Sequence, residues 1–213
     1  MTTLTKTRIA GMFAAVVAGV GLMAAGTAQD PQAELNKEAP DFTITDVTGK
    51  EHTLSSYTEA GKVVVLEWFN PDCPVVKARY ENFEGDVPPT IQLEKDHADK
   101  VVWLRINSGA EGKQGAGVER NKKAMTDFGI ETPILLDMSG KVGKAYGAKV
   151  TPEMYVIDGE GVLRYHGAID SNQGKRDLGD DFYLKSALQS VLAGETVATQ
   201  ETRAQGCGIK YGS

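Results

Sequence analysis

Two cysteines, Cys73 and Cys207, are all that the 213 residues provide, and the three histidines, His52, His97 and His166, stand far apart in the chain. Two thiols make neither a disulfide-rich scaffold nor a cysteine zinc site, and scattered histidines offer no metal-ligand spacing. No metal and no cofactor are expected. Positive charge is scarce as well: 23 Lys and Arg face 29 Asp and Glu, a net charge of −6. No basic stripe stands ready for a phosphate backbone, so a nucleic-acid partner is disfavoured. Long apolar runs are missing apart from one, Ile9 to Ala25, which follows Lys6 and Arg8 and precedes Gly26-Thr27-Ala28. This run is rich in Gly and Ala and short for a bilayer span, and small residues occupy positions −3 and −1 of a cleavage site before Gln29. Residues 1–28 therefore read as a secretory signal peptide. Cleavage removes two bases and no acid, moving the net charge from −6 to −8. The expected product is secreted, periplasmic and not membrane-spanning, in a compartment where a disulfide can persist.

What is present is organised around Val63 to Tyr80, VVVLEWFNPDCPVVKARY. The apolar run from Val63 to Phe69 predicts a buried strand, Asn70-Pro71-Asp72 breaks it, and Cys73-Pro74 opens a helix. Proline suits the first helical position because its missing N–H would be unpaired there, and Val76, Tyr80 and Phe83 then share one face. A cysteine at that point meets free backbone N–H groups and the positive end of the helix dipole, which favour its thiolate. The competing reading is a small buried hydrophobe.

The mature chain is long enough for one core. Residues 29–38 are polar and read as a tether to a single domain over 39–194. Asp41 to Val47 alternates, Thr48-Gly49-Lys50 is turn-like, and His52 to Leu54 completes an N-terminal β-hairpin, with Ser55 or Ser56 capping a brief helical turn. A helix over 90–99, a strand over 101–106, a helix over 118–128, a strand over 133–136 and a short helix over 142–146 follow. Gly-rich residues 108–117 lack both the dinucleotide spacing and a Gly-Lys-Ser/Thr ending, and read as a flexible surface insertion. Gly159-Glu160-Gly161 joins two strands in a hairpin. Leu184, Leu188, Val191 and Leu192 recur at helical spacing before Gly194 closes the last helix. Residues 195–213 remain as a polar tail carrying Cys207. Strands separated by helices describe an α/β fold with a mixed sheet covered on both faces.

LEWFNPDCPVVK resembles the active-site segment of the thioredoxin-like superfamily, and VTPEMYVID resembles its cis-proline segment. YGAKVTPEMYVIDGEGVLRYHGAID is similar to the redoxin branch of alkyl hydroperoxide reductases and thiol-specific antioxidants, and the terminal GCGIKY to a peroxiredoxin-like group with a single active-loop cysteine. The resemblance covers about Pro40 to Tyr211 and implies a thioredoxin-like fold. Cys73 matches the nucleophilic cysteine of the Cys-x-x-Cys motif, and Val76 stands where the resolving cysteine would be. Peroxiredoxins carry their peroxidatic cysteine at the position of Val76, with Thr or Ser three residues earlier, where this chain has Cys73. Both patterns are incomplete here.

The resemblance further implies a cis Thr151-Pro152 bond that turns the backbone of Thr151 toward Cys73, where it can pair with an extended substrate. Asn70, Pro74, Thr151 and Pro152 are thus the expected substrate contacts. Glu67 matches a buried carboxylate that assists proton transfer in thioredoxin; an ion pair with a lysine is the alternative. A metal shared by His166 and Cys73 is not expected, because Lys77 stands where the copper carriers of this fold have their second cysteine.

The partner of Cys73 is expected to be Cys207. From Gly194 to Cys207 is 13 steps, an extended reach of about 43 Å against a domain diameter of about 40 Å. Gly206 and Gly208 allow close approach. The functional expectation is an oxidoreductase or antioxidant that acts through Cys73 on a protein or small-molecule disulfide, or on a peroxide, is resolved by Cys207 and is restored by an external thiol reductant. The alternative is a non-enzymatic binding module with a structural Cys73–Cys207 disulfide.

Overall fold

The computed structural model describes residues 1, 2, 32–81, 87–173 and 178–212. Nearly all of the expected signal peptide, and Phe83 of the first apolar face, lie outside the described residues. In chain order the elements are β1 (Thr43–Thr45), β2 (Glu51–Thr53), α1 (Leu54–Thr58), β3 (Val63–Trp68), α2 (Pro74–Tyr80), α3 (Pro89–Asp96), β4 (Val101–Asn107) and α4 (Val118–Phe128). They continue with β5 (Ile134–Leu136), α5 (Lys141–Ala145), β6 (Val150–Thr151), β7 (Glu153–Ile157), β8 (Leu163–Gly167), α6 (Tyr183–Ala193) and β9 (Cys207–Gly208).

The main sheet has five strands in the order β5-β4-β3-β7-β8. β3 pairs parallel to β4 and antiparallel to β7, which makes it the central strand of a mixed sheet. Centrality explains why its six residues are all buried. Successive side chains of a strand point to opposite faces. Val64, Leu66 and Trp68 accordingly join Phe42 and Ile44 of the hairpin region, Leu54 of α1 and Tyr146 beyond α5. Val63 and Val65 instead meet Leu184, Ala187 and Leu188 of α6 and Leu93 of α3. Each such aliphatic side chain contributes about 1.5–3 kcal/mol when fully buried. A third cluster closes the end of β3, where Phe69, Cys73, Val76 and Tyr80 pack on Ala124 and Phe128 of α4. Among the described residues no helix is long and apolar enough to cross a membrane.

Four local expectations are corrected. Thr53, and neither Ser55 nor Ser56, precedes α1, and it makes no side-chain cap, so both serines lie inside the helix. Residues 33–38 do not hang free: Asn36 N–H donates to Leu163 O at 2.8 Å and Leu163 N–H to Lys37 O at 3.0 Å, because the edge of the β7–β8 hairpin offers unpaired backbone groups. The Gly-rich segment after β4 is held in place by amide side chains. Asn107 donates to Gly115 O at 2.8 Å, and Asn121 to the same oxygen at 3.0 Å. The tail beyond α6 also packs, with consequences taken up below.

Candidate active site

A strand that ends in the core and a helix that begins there fix the position of Cys73. The thiol is the N-cap residue of α2, with Pro74 at the first helical position. Asn70 shapes the approach: its carbonyl accepts the Cys73 N–H at 3.0 Å, and its side-chain oxygen accepts the Asp72 N–H at 2.8 Å. The amide of Asn70 donates to Gln114 O at 3.1 Å. Arg120 clamps the same turn from α4 through Asp72 Oδ1 at 2.9 Å and Pro71 O at 3.0 Å. Gly115 is required at its position, since a Cβ there would lie 1.9 Å from Asn70 Oδ1.

Thr151 faces this turn from the other side. The Thr151-Pro152 bond is cis, and the Cys73 thiol donates to Thr151 O at 3.2 Å. The buried Thr151 hydroxyl has no partner among the described residues. Cys207 lies directly opposite Thr151 in the antiparallel β6–β9 pair and packs on the cluster that contains Cys73. Both cysteines are free thiols, Cys73 buried and Cys207 half-buried. Two positions separated by most of the domain in sequence thus meet at one point.

Their acidities differ in sense. Burial pushes the Cys73 thiol up, but the neighbouring Cys207 S–H, the Val76 N–H and the Thr151 hydroxyl can all donate to a thiolate, and together they hold Cys73 below the ordinary cysteine value. Cys207 is pushed up to about 11, first by burial and then by the Cys73 sulfur itself. The arrangement places the negative charge on Cys73 and keeps the proton on Cys207. Alkylation of the reduced protein followed against pH is therefore expected to titrate Cys73 below about 8.5, the free-cysteine value. Cys207→Ser should move that midpoint upward, because it removes the largest stabilising contact. An unshifted midpoint would disprove the coupling.

Glu67 lies on the face of β3 that carries Tyr80, Trp103 and Arg105, fully buried. Tyr80 donates to its two oxygens at 2.6 and 2.7 Å, Trp103 Nε1 donates at 3.1 Å, and Arg105 Nε stands 3.3 Å away. The partner is thus an arginine, not a lysine. Burial pushes the carboxyl up, with Arg105 the chief opposing influence. Among the described residues none of its hydrogen bonds reaches a sulfur; Tyr80 joins it to α2.

Cys73, Cys207, Asn70, Pro74, Thr151 and Pro152 are brought together, and Glu67 is held one layer below. A model of the AhpC/TSA family matches residues 35–166. The chain belongs to the AhpC/TSA family. The chain is 25% identical over 164 residues to the thiol-disulfide oxidoreductase ResA of Bacillus thuringiensis subsp. konkukian, spanning 74% of this chain and 80% of that one. Among solved structures it resembles a hypothetical protein from Sinorhizobium meliloti, with a TM-score of 0.73, 28% identity and coverage of 85% and 97%. It also resembles an exposed lipoprotein thioredoxin of Streptococcus pneumoniae, with a TM-score of 0.52, 27% identity and coverage of 70% and 98%. The thioredoxin-like fold is shared throughout.

The sequence reading missed Arg120, which has no local signature, and Tyr211. Tyr211 donates to Ala148 O at 2.8 Å and covers two glycines of the α5 turn, where a Cβ on Gly140 or Gly143 would come within 2.6 or 2.3 Å of its ring or hydroxyl. Small residues repeated three apart at 140 and 143, with a lone aromatic near the terminus, were the only available hint.

Proposed function

We propose that this protein is a thiol-disulfide oxidoreductase in which Cys73 is the attacking thiolate and Cys207 the resolving thiol. The observation that carries this reading is the meeting of two free thiols at Thr151, whose carbonyl accepts from Cys73 and whose strand partner is Cys207. In the first step the Cys73 thiolate attacks one sulfur of a substrate disulfide, a mixed disulfide forms, and the other sulfur leaves as a thiolate that takes up a proton. In the second, Cys207 gives up its proton and attacks Cys73 Sγ; a Cys73–Cys207 disulfide forms and the second substrate thiol is released. The substrate gains two electrons and two protons, and an external dithiol reductant returns the protein to its starting state.

The packing of the tail argues against a merely structural disulfide. Thr202 anchors it before Cys207, with its N–H on His166 O at 3.1 Å and its hydroxyl accepting from Ala168 N–H at 2.9 Å. Tyr211 anchors it afterwards. The segment is held from both ends without a bond between sulfurs, leaving that bond free to form and break. The charged, apolar and small-residue pattern of residues 1–28 and the likeness to an exposed lipoprotein thioredoxin support action outside the cytoplasm.

The test is reduction of dithiobis(nitrobenzoate) and consumption of hydrogen peroxide by wild type and Cys73→Ser, with an external dithiol supplied. Disulfide reduction above the rate given by the dithiol alone is expected from the wild type and not from Cys73→Ser, and mass spectrometry of the oxidised wild type should show one intrachain Cys73–Cys207 bond. Equal rates in the two proteins would refute the assignment. Peroxide consumption without disulfide reduction would replace the substrate class.

A further inference from the structure

The tail does more than carry a thiol. β6 is a two-residue strand outside the main sheet, and β9 is its partner: Val150 faces Gly208 and Thr151 faces Cys207. The pairing extends one rung further through Ile209 N–H to Lys149 O at 3.0 Å. Gly206 rides directly over the Thr151 carbonyl, where a Cβ would come within 2.0 Å. With the tail seated, Cys73 is 1% exposed. A disulfide cannot meet the Cys73 sulfur until something on this face moves.

The tail itself shows what fits there: an extended segment, glycine before the cysteine, its backbone paired to Val150–Thr151 and its sulfur delivered to Cys73. Resting on the thiol-disulfide reading above, we propose that the substrate is an extended polypeptide disulfide that takes the place of residues 206–208 on this edge, and that the return of the tail both expels the reduced polypeptide and resolves the mixed disulfide. Backbone pairing supplies affinity without regard to sequence, while the close approach at Gly206 selects a small residue before the reacting cysteine. Because Cys207 leaves with the tail, the first attack proceeds with the resolving thiol absent, and the Val76 N–H and Thr151 hydroxyl remain to favour the thiolate. The same strand exchange then brings it back. No reaction beyond the two exchange steps already balanced is needed.

Competition between tail and substrate has a kinetic signature. A ligand that binds only the tail-free state has its apparent affinity reduced by the fraction of molecules in that state. Loosening the tail should therefore tighten substrate binding while slowing resolution. The probes are a peptide copying residues 204–210 with its cysteine disulfide-bonded to thionitrobenzoate, and dithiobis(nitrobenzoate), which has no backbone to pair. Tyr211→Ala removes the anchor on Gly140 and Gly143, and Gly206→Ala prevents seating over Thr151. In both variants KM for the peptide is expected to fall about tenfold, attack on the small disulfide, which also waits for an uncovered thiol, to speed up without the further gain of backbone pairing, and single-turnover resolution to slow for both. A peptide with Val before its cysteine should be the poorer substrate of wild type. Equal KM values for the peptide in wild type and variants would overturn strand competition, and a KM for the peptide no lower than that for the small disulfide in the variants would overturn backbone pairing of the substrate. Reduction of both probes by Cys73→Ser would instead overturn the underlying reading.

Discussion

Cys207→Ser is expected to turn the protein into a trap. The Cys73 thiolate can still attack a disulfide, but nothing within the chain can release the product, so a mixed disulfide accumulates. Well-oriented intramolecular groups react as though present at about 10⁵ M or more, whereas an external thiol is supplied at roughly 1 mM. Replacing the resident thiol by the external one should lengthen the life of the intermediate by at least about 10³-fold, even if docking of the tail is far from ideal. The measurement is intact-mass spectrometry of quenched time points with the thionitrobenzoate peptide. Wild type should pass through the adduct and end as an intrachain disulfide; the variant should stop at the adduct. Rapid turnover by the variant would mean that Cys207 is not the resolving residue. The Cys73→Ser protein forms no adduct at residue 73, and any slow adduct maps to Cys207 by peptide digestion, which separates loss of attack from loss of resolution.

The second large effect is on stability and comes from Arg105. This side chain is fully buried between two carboxylates: Nη2 donates to Glu94 at 2.8 Å and Nε faces Glu67 at 3.3 Å. It also donates to Tyr80 Oη at 3.2 Å and to Thr132 Oγ1. Removing one partner of a buried ion pair leaves the others without compensation, a cost of about 3–5 kcal/mol. For a domain of this size, that corresponds to a fall in Tm of about 10 °C or more. Arg105→Met keeps much of the volume and isolates the charge effect. Its pH dependence has a definite sign. Glu67 already lies above its ordinary value because of burial, with Arg105 the main influence holding it down. Without Arg105 the carboxyl is pushed further up, so the folded state binds a proton that the unfolded state has lost. Stability of the variant should then decline as pH rises above about 4.3, the unfolded glutamate value. Thermal melts at pH 5 and pH 8 check this: the deficit relative to wild type must be larger at pH 8. A deficit independent of pH would show that lost packing, and not the stranded carboxylates, dominates. Tyr80 links Glu67 to α2, the helix that begins at Cys73.

How much of this was legible beforehand follows from which interactions are local. The run from Val63 to Phe69 could be read as a buried strand because a central strand is apolar on both faces, and a composition rule is enough to see that. Cys73-Pro74 marked a helix start because proline at the first helical position removes only an N–H that would be unpaired. The Gly159-Glu160-Gly161 hairpin and the last helix, with Leu184 and Leu188 inward and Gly194 left-handed at its end, obeyed local periodicity and turn chemistry in the same way. Resemblance added the cis Thr151-Pro152 bond and the role of Cys73. The tail was different. Residues 195–213 have no period and little apolar content, so the expectation reached only to Cys207 meeting Cys73 and not to how the tail docks: Thr202 on β8 and Ala168, Gly206 and Cys207 on Thr151, and Tyr211 on Ala148. The short pairs of β6 and β9 leave no pattern in a sequence, since two residues cannot alternate. The partner of Glu67 was likewise out of reach: its register with Arg105 in β4 depends on how two distant strands align. The sequence by itself determined the strand, the turn and the helix that place Cys73 at a helix N-terminus, because those depend on neighbours in the chain. Only the tertiary structure decided how the chain's own end closes over that thiol, by pairing with β6, and that an arginine neutralises the carboxylate beneath it, because both depend on backbone edges and buried charges that meet only after folding.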